Sequence, residues 1–314
     1  MQARRFPRHL LVLALALVSG ACAPTAGSAG APARLASTQV PAARRDRQAK
    51  PSPSVVVAAA GDIACPGAPC DGERETASEI RKIDPKAVLP LGDLQYPNGS
   101  FANFQASYDK TWGAFKGRTH PAPGNHEYET PGAAGYYRYF GARAHPPLGY
   151  YSFDLGAWHL VALNANCYAI DCTREQRWLA RNLQHDHGLC QLAYWHQPRF
   201  SSGPHGSDPT YSGFWNTLYR FGADVVLNGH DHDYERFAKL APNEHFSGRG
   251  IREFVVGTGG ASHYAFGPPV PGSQVRIANR SGVLRMRLSA TSYGWGFVDT
   301  SGKVRDSGST TCHP

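Results

Sequence analysis

From residue 54 onward, short apolar runs alternate with stretches of helical periodicity, and most of the runs end in a polar cluster containing Gly or His. Val55–Ala60 leads into Gly61-Asp62, Ala87–Leu91 into Gly92-Asp93, and Thr119–Pro123 into Gly124-Asn125-His126-Glu127. Leu192–Trp195 leads into His196, and Asp224–Leu227 into Asn228-Gly229-His230-Asp231-His232. Runs this short and this apolar read as strands buried on both faces. The periodic stretches Glu73–Ile83, Phe101–Phe115, Arg174–His185 and Pro209–Phe221 read as helices. Buried strands alternating with helices predict an α/β sheet. Tyr150–Asp154 and Trp158–Asn164, separated by Leu155-Gly156-Ala157, predict an antiparallel hairpin, and Arg252–Val256, Val283–Ala290 and Gly294–Asp299 predict further strands. With no internal repeat and no second linker, residues 54–314 are expected to form one domain.

The N-terminus has a different pattern. Arg4, Arg5, Arg8 and His9 precede an apolar run, Leu10–Val18, then Ser19-Gly20-Ala21 and Cys22. That order of charged, apolar and small residues is that of an export signal over residues 1–22. A Cys after Gly-Ala also resembles a lipoprotein site, so simple cleavage and a lipid anchor at Cys22 both fit. Residues 23–53, rich in Ala, Pro, Ser and Arg, lack the apolar groups to fold and read as a disordered tether. The protein is therefore expected to be extracellular or at the cell surface.

Charge changes the picture once it is divided. The chain carries a formal +8, but residues 1–50 hold eight Lys/Arg against Asp46 alone, and the remainder holds 24 Lys/Arg against 23 acids. The basic excess belongs to the leader and tether, which leaves no charge-based case for nucleic acid as a partner. Six cysteines follow Cys22 and allow 15 pairings. The simplest pairs Cys65 with Cys70, Cys167 with Cys172 and Cys190 with Cys312. Buried free thiols are the other reading, and an oxidising compartment favours disulfides.

The polar clusters all fall where ligand sites gather in open α/β sheets, past the carboxyl ends of strands. One Gly-Asp could be turn chemistry; five clusters rich in Asp, Asn and His are harder to explain that way. The mixture of carboxylate, amide oxygen and imidazole suits Zn, Fe or Mn better than Ca or Mg. Six or seven ligands exceed the need of one ion and fit two that share a carboxylate.

GDIA at 61–64, GDLQY at 92–96, GNHE at 124–127, WHQP at 195–198 and GHDHDYER at 229–236 resemble the calcineurin-like metallophosphoesterases, and more narrowly the purple acid phosphatases. The resemblance implies a four-layer α/β/β/α sandwich of two mixed sheets with a dinuclear metal site at the strand ends. Most calcineurin-like enzymes have a ligand His two residues after the first Asp; here that position is Ala64, and Tyr96 stands where purple acid phosphatases have a metal-bound tyrosinate. By resemblance, one metal would take Asp62, Asp93, Tyr96 and His232, and the other Asp93, Asn125, His196 and His230, with Asp93 bridging. The pair would be Fe(III) with Fe(II), Zn(II) or Mn(II). The implied activity is hydrolysis of small phosphate monoesters by a metal-bound hydroxide, with diester or nucleotide hydrolysis on the same site as the alternative and a non-catalytic binding role as a more distant one. His126 would bind substrate phosphate and transition-state charge, and His205 would bind phosphate or protonate the leaving group. Glu127 and Asp231 read either as residues that orient ligand histidines or as solvated loop acids. His120, His145, His185 and His187 read as surface or packing residues. Tyr136, Tyr137, Tyr139 and Phe140 read as core, and Glu235–Arg236 as a structural ion pair.

Overall fold

A computed structural model describes residues 53–67, 70, 72–185 and 190–313. The expected signal, the site at Cys22 and the tether lie outside these residues, as do His187 and the side chain of His185.

Two sheets carry the fold. The first has the order β12-β11-β10-β1-β2, and the second β3-β4-β5-β6-β8-β7-β9. In the first, β1 (Val55–Ala60) runs parallel to β2 (Ala87–Pro90) and antiparallel to β10 (Gly282–Leu288), which continues into β11 (Ser292–Asp299) and β12 (Val304–Thr311). In the second, β4 (Trp158–Ala162), β5 (Cys190–Tyr194), β6 (Val225–Asn228) and β8 (Ile251–Val256) are parallel. β3 (Tyr151–Leu155), β7 (Tyr234–Leu240) and β9 (Ser273–Ile277) add antiparallel pairs.

Strand periodicity explains why the central runs are apolar throughout. Successive side chains point to opposite faces. Leu192, Tyr194, Val225, Leu227, Phe254 and Val256 join a core that includes Val57, Ala59, Leu284 and Met286 of the first sheet. The intervening Ala193, Val226 and Val255 pack with Leu179 and Leu183 of α5 (Cys172–His185) and Phe214, Trp215 and Leu218 of α6 (Ser212–Arg220). On the first sheet, α1 (Glu73–Ile83) lies against β10 and β11. The layers therefore run α/β/β/α, as the sequence resemblance implies. Each large apolar side chain fully buried this way contributes about 1.5–3 kcal/mol.

α1 spans the residues its periodicity predicts. Glu73 and Glu75 occupy the first turn and Arg81 and Lys82 the last, matching the helix dipole. Two other expectations need correction. The stretch 101–115 is not one helix: it divides into α2 (Phe101–Ala106) and two 3-10 turns, Tyr108–Lys110 and Trp112–Arg118. Ser107 turns its hydroxyl to Gln95 Oε1, and Thr111 bonds back to the carbonyls of Ser107 and Tyr108, which competes with a continuous helical ladder. Thr119–Pro123 forms only isolated bridges, Val88 to Thr119 and Leu91 to Ala122. Pro121 and Pro123 have no N–H to extend a ladder. The buried aromatics Tyr136, Tyr139 and Phe140 of α4 (Ala134–Phe140) pack with Phe104 and Tyr108, as core residues should.

All three disulfides of the simplest pairing are present: Cys65–Cys70, Cys167–Cys172 and Cys190–Cys312. They fit a protein that folds in an oxidising compartment.

Candidate metal centre

Asp62, Asp93, His196 and His230 follow the carboxyl ends of β1, β2, β5 and β6 within three residues. β1 and β2 belong to one sheet and β5 and β6 to the other, so the loops of both sheets meet here. The chain turns sharply at three of these residues, with positive φ at Asp62 (60°), Asp93 (49°) and His230 (74°). Non-glycine residues held this way cost about 1–3 kcal/mol each and cluster at functional sites. Local bonds offset the cost: the Asp62 N–H donates to Gly92 O, and the His230 N–H to Asp62 Oδ2 at 2.8 Å.

The adjoining glycines are required by crowding. A Cβ on Gly92 would lie 2.5 Å from His196 Nδ1, and one on Gly124 only 2.1 Å from Asp93 Oδ1. Gly92 is thus the space His196 occupies, and Gly124 the space Asp93 occupies.

Six of the seven sequence-predicted ligands are brought together in direct contact. The Tyr96 hydroxyl lies 2.9 Å from Asp62 Oδ1, 3.2 Å from Asp93 Oδ2 and 3.0 Å from His232 Nε2. His232 Nε2 is 3.3 Å from Asp62 Oδ1. His196 Nε2 is 3.1 Å from the same Asp93 Oδ2, and His230 Nδ1 is 3.2 Å from His196 Nε2. Asp93 Oδ2 therefore stands between two donor groups, Asp62–Tyr96–His232 and His196–His230. The seventh residue, Asn125, opens the short helix α3 (Asn125–Tyr128) beside Asp93, and its Oδ1 is buried with no hydrogen-bond partner. A buried amide oxygen without a partner costs about 1–3 kcal/mol. A cation would satisfy it, and the whole donor set, two carboxylates, a phenol, an amide oxygen and three imidazoles, has the chemistry to hold metal ions. Among the described residues, ligand atoms of Asp93, His196 and His230 all lie within 4.8 Å of one another.

The ligating atoms are fixed from behind. His196 Nδ1 faces Leu91 O at 2.8 Å and His232 Nδ1 faces Ser262 O at 2.5 Å, which points each Nε2 inward. Tyr264 stacks flat on His232, with centroids 4.0 Å apart and planes at 8°. Neither the carbonyl contacts nor this stack had a sequence signal: a carbonyl belongs to every residue, and Tyr264 sits in an unpatterned Gly/Ala/Ser stretch.

Glu127 and Asp231 are buried, which rules out the solvated reading, but neither orients a ligand histidine. Glu127 accepts the N–H groups of Asp93, Leu94, Gln95 and Gly124, clamping two of the ligand loops. Asp231 instead holds His205, accepting from its N–H at 3.0 Å and its Nδ1 at 2.9 Å. Arg236 pairs with Asp306 at 2.7 Å rather than with Glu235, which binds the N–H and hydroxyl of Ser202. Adjacent strand residues point to opposite faces, so an ion pair between 235 and 236 is geometrically disfavoured.

His126 and His205 stand at the rim. The His126 ring lies 4.4 Å from that of Tyr96, its Nδ1 faces Pro97 O, and its Nε2 is 3.8 Å from Asp93 Oδ2. The His205 ring lies 4.1 Å from that of His230 and 5.5 Å from Tyr264. Beside them a cleft of about 390 Å³ is lined by Cys65, Pro66, Tyr96, Pro97, His232 and Tyr264, among others.

The charges are strongly interdependent. Burial works against ionised Asp93, yet the imidazoles of His196 and His126 hold its carboxyl below the usual carboxylate range. Burial likewise opposes charged His196, but Asp93 and Asp62 raise it to about 9. Burial, then His196 and His205, lower His230 to about 4. Burial, Asp62 and Asp93 raise the Tyr96 phenol well above its usual range, so its proton leaves only in exchange for another positive charge.

The calcineurin-like phosphoesterase family profile matches residues 53–234, more than half of the chain. The chain belongs to that family. Within it, the chain is similar to purple acid phosphatase 15 of Arabidopsis thaliana, with 28% identity over 225 residues, covering 59% of this chain and 42% of that protein. The chain thus spans less than half the length of this relative. The fold is that of purple acid phosphatase PPD1 from yellow lupin, Lupinus luteus (TM-score 0.66, 20% identity, 83% of this chain and 54% of that one). It is equally that of GAP50, described as the anchor in the inner membrane complex of Plasmodium (TM-score 0.63, 13% identity, 83% and 90%). At these identities the structural likeness concerns the fold alone.

Proposed function

We propose that the protein is an exported phosphomonoester hydrolase of the acid phosphatase type, working with two metal ions. Asp62, Tyr96 and His232 would hold one ion, Asn125, His196 and His230 the other, and Asp93 would bridge. The observation that carries the reading is the placement of Asp93 Oδ2 between the two donor groups, 3.2 Å from the Tyr96 hydroxyl and 3.1 Å from His196 Nε2. When bound, such ions supply Lewis acidity, acidifying water and neutralising the phosphoryl oxygens. Phenol among the donors favours Fe(III) at the first position, with Fe(II), Zn(II) or Mn(II) at the second.

The protein's own groups would do the rest. His126, braced by Pro97 O, would hold a phosphate oxygen at the rim. Asp231 engages His205 Nδ1, so proton transfer to the leaving alkoxide falls to Nε2. The disulfides support an exported protein, whether free or anchored through Cys22.

Comparing hydrolysis of 4-nitrophenyl phosphate with that of its bis ester tests the reading. The monoester should be the better substrate. Cleavage of the diester alone would replace it with a phosphodiesterase on the same site, and turnover of neither by the metal-loaded protein would leave a binding role.

A further inference from the structure

The rim carries an exposed aromatic ring, Tyr168, to which neither metal binding nor the proton transfers above give a role. Tyr168 is 71% exposed, a large ring left in solvent beside a polar site. Its hydroxyl lies 3.5 Å from Asn125 O and 3.4 Å from Asn166 Oδ1, and its ring is edge-on to Tyr128 at 6.3 Å. The ring is thereby set over the Asn125 side of the centre.

Its mounting is stiff. Tyr168 sits inside the loop closed by Cys167–Cys172, whose Cα atoms are 5.2 Å apart. Within the loop the N–H groups of Ala169 and Ile170 both donate to Asn166 O, at 2.8 and 3.0 Å, and that of Cys172 to Ile170 O. Leaving an aromatic face in water forgoes the gain of burying it. A ring exposed on a backbone held in this way offers a partner contact area at little entropic cost, because a Tyr has only two side-chain torsions to fix.

The rest of the rim narrows the partner's chemistry. The cleft on the His232 side is lined by Pro66, Tyr96, Pro97, His126 and Tyr264, and none of the described residues lining it is Lys or Arg. A leaving group with further negative charges would find no Lys or Arg among these described residues, whereas a flat uncharged one would find rings. We propose that Tyr168 is a specificity-determining residue that stacks on the leaving group of the substrate, selecting phosphate esters of planar aromatic groups over aliphatic ones. This rests on the phosphatase reading for the reaction, but its recognition step can be measured without turnover.

Phenylphosphonate and ethylphosphonate carry the same head group on a P–C bond that cannot be hydrolysed. Their binding to the metal-loaded protein would be compared by calorimetry in wild type, Tyr168→Ala and Tyr168→Phe, with metal content measured in each. Wild type should prefer the phenyl compound by about five- to tenfold, the scale of one aromatic contact. Tyr168→Phe should keep that preference, and Tyr168→Ala should lose it while binding ethylphosphonate as before. No preference in wild type, a preference that survives Tyr168→Ala, equal loss of both ligands in Tyr168→Ala, or failure of either compound to bind would each overturn the proposal. Preference for phenylphosphonate without hydrolysis of any ester would defeat the phosphatase reading alone, and hydrolysis without preference would defeat this one alone.

Discussion

Among the seven candidate ligands, Asn125 is the one whose side-chain oxygen lacks a partner. Its Oδ1 is buried and unpaired, although the neighbouring carboxylates are all engaged by N–H or hydroxyl donors. If a cation is that partner, Asn125→Ala should lower metal occupancy and reduce kcat/KM by about 100-fold, at least the upper end of what losing an outer orienting contact costs. Near-normal metal content and turnover in that variant would remove Asn125 from the ligand set. Tyr96 makes a sharper claim about metal identity. Phenolate bound to Fe(III) would give a visible charge-transfer band, and Tyr96→Phe should abolish it. A colourless, active protein holding only Zn or Mn would refute the iron assignment without touching the hydrolase reading.

At the scale of elements, the loops of the site depend on strands that are tied elsewhere. Cys190 begins β5, which ends just before His196, and is joined to Cys312 across a sequence separation of 122. Cross-links over such lengths stabilise by restricting the unfolded chain, so replacing both cysteines with Ser should cost about 2–5 kcal/mol by denaturant titration. An unchanged midpoint would show that the C-terminus is held without the bond. At the turn from β11 to β12, Asp299 is largely enclosed, which favours its neutral form, but the Ser301 hydroxyl and the Arg305 guanidinium, with the N–H groups of Lys303 and Ser301, lower it from 3.8 to about 2. A carboxyl depressed on folding contributes stability above its unfolded pKa and loses it as pH falls towards the folded one. Asp299→Asn should therefore cost about 1.5–3 kcal/mol at neutral pH, with wild type and variant converging between about pH 4 and pH 2. A pH-independent difference would mean that packing, not ionisation, holds the turn.

Over the whole molecule, what the sequence revealed follows from physical period. The parallel strands β5 and β6 were legible because burial on both faces makes their runs Leu192–Tyr194 and Val225–Leu227 apolar without interruption, and the ligand residues were legible because they stand at the ends of such runs. β7, β9 and β12 were not. β7 begins inside the polar motif at Tyr234 and is irregular after Arg236, and β12, VRDSGSTT, is an edge strand that after Val304 holds only polar residues and glycine. Thr119–Pro123 misled in the other direction, since its apolar character comes partly from prolines that cannot pair. Within the site, side-chain ligands carried a signature, whereas Leu91 O, Ser262 O and Tyr264 act through carbonyl position and ring stacking that only the folded chain creates. The GAP50 likeness makes the same point for function: one architecture serves an anchor as well as phosphatases, so the donor set, rather than the fold, carries the proposal.

That donor set is tested most directly by titrating metal-free protein with metal while following hydrolysis of 4-nitrophenyl phosphate. Activity should rise from background and level off at two ions per chain. Full activity after exhaustive chelation, or a plateau at a single ion, would contradict the dinuclear centre.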